Sequence, residues 1–251
     1  MDTNMSSNGD ALINQEEPTS SIWGQIVGVF TAPSKAFEDY IKKPNIWVPL
    51  LICIAVVSVS AILTAEYESM IQYEIMKNST VIPAEQIEQM RIDAQNPNAV
   101  KSGLFGMIFG ILPPLLVGLI AWGIGSFIFG GKAKFKIIWG STMMAGMIIM
   151  LGVILKIPLV IIKESALVSI GPAALFPDLG ITSLAGIVMM YFDVFMIWAI
   201  VVMGLGFSKA LGFTTGKGMA TSIISNVGLI GCLITLQMVG MKFAGVETTW
   251  F

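Results

Sequence analysis

GLFGMIFGILPPLLVGLIAWGIGSFIF, residues 103–129, runs for 27 residues without a charged side chain. A helix of that length is about 40 Å long, more than the roughly 30 Å hydrocarbon core of a bilayer. Working outward, four similar apolar runs occupy 46–65, 137–155, 184–207 and 219–241, and of the five only 184–207 carries a charge, Asp193. Unpaired backbone amides are not tolerated in hydrocarbon, so each run is expected to close its hydrogen bonds internally as a helix. The predicted fold class is therefore all-α: a polytopic membrane protein, a bundle of five transmembrane helices preceded by short amphipathic helices.

Composition agrees. The 251-residue chain is 55% hydrophobic and 12% charged, with a mean hydropathy of +0.81, values that fit a membrane protein. Residues 1–20 are polar and acidic, lacking a basic n-region or small-residue cleavage site, and read as a disordered tail without a signal peptide. Residues 21–45 read as cytoplasmic amphipathic helices, and 46–251 as the membrane domain, with an extracytoplasmic loop at 66–102. Cys53 and Cys232 both lie inside apolar runs and read as small hydrophobes rather than a disulfide. A net charge of −2 without a dense basic block argues against nucleic acid as a partner.

Five spans put the termini on opposite sides. With the N-terminus in the cytoplasm, eight lysines (35, 42, 43, 132, 134, 136, 209 and 217) fall inside and six basic residues (Lys77, Arg91, Lys101, Lys156, Lys163 and Lys242) outside. The pair at 42–43 and the linker GGKAKFK lie close to helix ends, where the positive-inside rule has most force. The expected location is the plasma (inner) membrane, N-terminus in and C-terminus out.

Before the first span, Ile22, Trp23, Ile26, Val27 and Phe30 recur at helical spacing, as do Phe37, Tyr40 and Ile41 after Pro33, with Pro44 closing that segment. Such faces rest at the membrane interface or pack beneath the bundle. In the loop, 83–94 reads as a helix with Ile87, Met90 and Ala94 on one side. Pro113 and Pro114 each remove a backbone donor and are expected to kink the second span. Small residues at 106, 110, 121, 125, 140, 145, 146 and 152 allow close helix approach, within the chain or between chains.

The chain has no histidine, which removes zinc-protease helices and serine–histidine nucleophiles. FTTGKGMATS lacks the first glycine of a phosphate-binding loop, and a single intramembrane aspartate does not make an aspartyl-protease pair. Asp193, seven to nine residues from the outer end of its run, is placed roughly 10–14 Å deep if that run is one helix. A carboxylate there is a functional hypothesis by default. Proton or cation coupling would draw on Asn226, Gln237, Ser222, Ser225, Ser141 and Thr142; structural pairing would use Lys156 or Lys163; a protonated carboxyl would bond a neighbouring helix. Met143, Met147 and Met150 share a helix face, a spacing open to Cu(I) but also to plain core filling. No cofactor or metal is expected.

Three stretches carry a resemblance: FTAPSKAFEDYIKKPNIWVPLL (30–51), FGGKAKFKIIWGSTM (129–143) and YFDVFMIWAIVVMGLGFSKALGFTTGKGMATSI (191–223). They resemble the Yip (Ypt/Rab-interacting protein) integral membrane family in its prokaryotic branch, from about residue 22 onward. The resemblance implies five spans and a cytoplasmic N-terminus, with Pro33, Phe37, Pro44, Asp193, Phe195 and Trp198 as positional markers. It also implies an adaptor role, in bacterial relatives sometimes beside ABC-type efflux assemblies, and no Rab-type GTPase partner. The reading is a non-enzymatic membrane scaffold or accessory protein that binds other membrane proteins or itself. Trp23, Phe30, Phe37, Lys132, Lys134 and Lys136 are its candidate partner surface. The alternative is a small-molecule or ion carrier using Asp193.

Overall fold

The computed structural model describes residues 18–176 and 178–250; the tail predicted for 1–20 lies outside them up to residue 17. Ten α-helices are described, and among the described residues the only β-pairing is an isolated bridge between Ser183 and Thr249. The chain is a polytopic helical membrane protein.

Helices α1 (Ile22–Thr31) and α2 (Pro33–Lys42) form a hairpin, with Ser21 capping the first and Pro33 opening the second. Phe37 and Tyr40 are fully buried, because glycines receive them. A Cβ on Gly206 would lie 2.8 Å from the Phe37 ring, and one on Gly140 only 1.6 Å from the Tyr40 oxygen. The hairpin is therefore a floor of the bundle.

The first span is α3 (Trp47–Leu63), which bends by 66° at Thr64 into α4 (Ala65–Met76). Helix α5 (Ala84–Gln95) packs on α4 and leads to α6 (Ala99–Gly123), which ends in a π turn, Ile124–Ile128. The loop expected at 66–102 thus contains an additional helix and already the first turn of the second span. Pro113 and Pro114 do not interrupt α6; the departure from α geometry in that span is the π turn. Next comes α7 (Phe135–Lys163), which runs past the apolar stretch and through Pro158.

The run 184–207 is not one helix. It divides into α8 (Leu184–Tyr191) and α9 (Val194–Leu211), with Asp193 at the break. Gly212, in the left-handed region at φ +67°, ends α9 before α10 (Thr215–Phe243), as a residue without Cβ does most cheaply. Four helices, α6 with its π turn, α7, α9 and α10, are long and apolar enough to cross a membrane; bent α3–α4 is a fifth candidate.

Small residues hold the bundle together. A Cβ on Gly106 would meet the Ser58 Cα at 2.6 Å, one on Gly118 the Trp139 Cα at 3.1 Å, one on Gly152 the Phe195 ring at 2.7 Å, and one on Gly218 the Gly204 carbonyl at 2.4 Å. These contacts join α3 to α6, α6 to α7, α7 to α9 and α9 to α10. Without a solvent-driven force between helices, such close packing supplies the cohesion. After α10 the chain folds back: Ser79 Oγ donates to the Ala244 carbonyl, and the Leu184 amide donates to Thr249 O at 2.9 Å.

Candidate functional site

Asp193 sits in extended backbone as the N-cap of α9. Its Oδ1 accepts from the Met196 amide at 2.7 Å, satisfying a donor that a helix start otherwise leaves bare. Its Oδ2 lies 3.7 Å from Lys156 Nζ. Lys156 is also within electrostatic reach of Glu68 on α4, so one lysine stands between carboxylates of two other helices. Lys163 lies exposed in the last turn of α7. The reading of Asp193 as a lone acid in mid-helix is corrected: the helix begins there, because the side chain serves as its cap.

Five of the six other polar residues that a coupling path would draw on turn to helix carbonyls. Ser222 Oγ donates to Ile200 O at 2.6 Å and Ser225 Oγ to Ser222 O at 3.1 Å. Asn226 Nδ2 donates to Ser222 O at 2.9 Å and to Met203 Sδ at 3.4 Å. Ser141 and Thr142 bond back to Ile137 and Ile138. Gln237, half-buried, lines a recess of about 280 Å³ with Gln72, Ile75 and Met241. The bonds from Ser222 to Ile200 and from Asn226 to Met203 tie α10 to α9; the rest close within their own helix and spare desolvated hydroxyls, and none of them is made to Asp193. Met143 and Met147 are buried in an apolar cluster with Cys53, against which Met150 packs.

The expected partner surface is divided by the structure. Phe37 is fully buried and so not free to meet a partner, and Phe30, partly buried, packs edge-to-face on Trp198 at 5.9 Å. Their apolar bulk gains more by packing under the bundle. Trp23 is 61% exposed, and Lys132, Lys134 and Lys136 are exposed. Residues 19 and 20, assigned to the tail, are pinned to α2: Asp39 accepts from Ser20 Oγ at 2.6 Å, Thr19 Oγ1 at 2.9 Å and the Thr19 amide at 3.1 Å. The Ser20 hydroxyl, with those from Thr19, holds the Asp39 carboxyl below the usual carboxylate range.

Two features escaped the sequence reading. The first is the outward face of α10, where Gly228, Gly231, Cys232 and Thr235 are exposed and a Cβ on Gly228, Gly231 or Gly240 would meet nothing within 4 Å. The second is a cleft of about 970 Å³ formed where α3 bends away from α6 and the α4–α5 hairpin leans over the gap. Its deeper wall holds Val57, Ala61, Phe105 and Phe109; its rim holds Glu68, Asp93 and Lys101.

With these features described, comparison with known proteins places the chain. Residues 27–237 match the Yip1 domain, and the chain belongs to that family. It is similar to membrane protein YknW of Bacillus subtilis (strain 168), 25% identical over 254 residues and covering 95% of each chain. No solved structure matches it.

Proposed function

We propose that this protein is a non-enzymatic membrane scaffold or accessory protein that packs a helix of another membrane protein, or of a second copy, against the outward face of α10. The observation that carries this reading is the contrast between two sets of glycines. Those at 106, 118, 204 and 218 each receive another helix, whereas 228, 231 and 240 on α10 meet open space. A glycine in a helix forfeits backbone order and side-chain contacts; an incoming helix recovers that loss by close approach. Gly228 and Cys232, four apart, and Gly231 and Thr235, also four apart, form a smooth strip near the middle of a 29-residue helix.

Cys232 provides the test, since Cys53 is buried and Cys232 is exposed. A bis-maleimide reagent that enters membranes is added to native membranes, and the adducts are identified by mass spectrometry. The expected product is either twice the 27.0 kDa chain or a defined adduct with one membrane protein, such as the ABC-type subunit that the family resemblance suggests. Gly228→Leu with Gly231→Leu is expected to abolish it while the protein still inserts. An adduct unchanged by those substitutions, or none at all with only monomer in mild detergent, overturns the reading.

A further inference from the structure

We infer that the cleft between α3, α6 and the α4–α5 hairpin binds a single phospholipid whose headgroup carries a protonated amine, an ethanolamine-type lipid of the outer leaflet. The cleft is sorted by polarity along its depth. Phe105 and Phe109 are 51% and 61% exposed on α6 and, with Val57 and Ala61, give an apolar wall open sideways to the bilayer. Lys101 and Phe109 are eight residues apart on one helix, about 12 Å from rim to depth. That is the length scale of an acyl segment beneath its headgroup, and about 970 Å³ falls within the usual range for a bound small molecule.

The rim selects the headgroup. Glu68, Asp93 and Lys101 all line it, and among the described residues no ion pair joins one of them to another. Asp93 Oδ1 accepts from Gln89 Nε2 at 2.7 Å. Segment 66–102 as a whole has six carboxylates (Glu66, Glu68, Glu74, Glu85, Glu88 and Asp93) against three bases (Lys77, Arg91 and Lys101). Lys156 of α7, within electrostatic reach of Glu68, adds a fourth base, and six carboxylates against four bases still leave a net negative field that disfavours a net-anionic headgroup. A zwitterion fits it, with ammonium toward Glu68 and Asp93 and phosphate toward Lys101, each charge meeting its opposite. The bend at Thr64 keeps the site open: Gly106 holds α6 against Ser58, while the chain beyond Thr64 swings away by 66°.

The full-length protein in nanodiscs is irradiated with diazirine-labelled phosphatidylethanolamine or, separately, diazirine-labelled phosphatidylglycerol, and labelled peptides are mapped. The ethanolamine probe is expected to label peptides containing Val57 to Ala61 and Phe105 to Phe109 above the level on α9 near Ile197 and Val201, which are exposed and lie outside both the cleft and the α10 strip. The glycerol probe is expected to label them about fivefold less, the upper range for one solvent-accessible charge interaction. Glu68→Gln with Asp93→Asn is expected to erase that preference, and Ala61→Trp to remove cleft labelling for both probes. Protection of the buried Cys53 thiol from maleimide, which depends on the packed bundle and not on the α10 strip, reports that each variant is folded, so failure here is distinguishable from failure of the helix-packing reading. Equal labelling by the two probes, cleft labelling no higher than on α9, or a peptide recovered from the cleft in place of lipid overturns the inference.

Discussion

Asp193 illustrates how much a residue's role depends on where its helix starts. As an N-cap it needs an oxygen in place; as half of an ion pair it needs a charge. The two demands separate by substitution. Asp193→Asn keeps the cap to the Met196 amide and loses only the partly exposed pair with Lys156, an expected loss of about 1 kcal/mol or less. Asp193→Ala loses both, and its cap alone is worth about 0.5–2 kcal/mol. Unfolding in detergent followed by circular dichroism checks the order; Asn as damaging as Ala would make the charge, not the cap, the essential feature. Gly140→Ala is the opposite case. Its Cβ would fall on the Tyr40 oxygen and close to Ile46, so α2 must shift, at an expected cost of about 1–3 kcal/mol, measurable by the same unfolding assay. Sequence made Asp193 conspicuous as a charge among apolar residues but gave no sign that it ends one helix and begins another. The apolar composition on either side fits one long helix as well as two short ones.

At the scale of elements, the spans were legible because apolar length is a strong signal, and the surface was less so. Helix α4, AEYESMIQYEIM, mixes charged and apolar residues without a clean period, so it reads as loop; tertiary contact with α5 gives it its place. Helices α1 and α2 were legible as amphipathic, but periodicity says only that a face is apolar, not whether membrane, bundle or partner covers it. The glycines of α10 escaped for a related reason: a small-residue spacing looks the same whether another helix fills it or none does. The clamp from Thr19 and Ser20 onto Asp39 has a pH dependence that follows from its sign. The folded state favours the ionised carboxyl, so the contribution is complete above the usual carboxylate range. It is lost as pH falls through the lowered folded value. Hydrogen exchange at the Thr19 amide, which donates to Asp39, is expected to be slow at neutral pH relative to its intrinsic rate and to lose that protection in acid. Asp39→Asn is expected to weaken the protection at neutral pH and to remove its pH dependence. Protection independent of both changes would remove Asp39 as the anchor.

For the whole molecule, the orientation expected from the lysines near the floor of the bundle, N-terminus in, is open to a direct labelling test. With Cys232 replaced by serine, Asn78→Cys is expected to react with a membrane-impermeant maleimide in intact cells. Lys134→Cys, in the exposed basic linker, is expected to react only after permeabilisation. The reverse pattern would invert the topology. The return of the chain after α10 has a separate meaning for assembly. Ala244 accepts from Ser79, 165 positions earlier, and Thr249 meets Ser183 at the start of α8. During synthesis, the turn after α4 and the entry to α8 therefore emerge well before the strip that fastens them, and the far face of the bundle cannot lock until its last helix has crossed. A chain shortened after Phe243 would keep every apolar helix and still leave that face unfastened, so its earliest symptom belongs at α4 and α8, far back in the sequence from the cut.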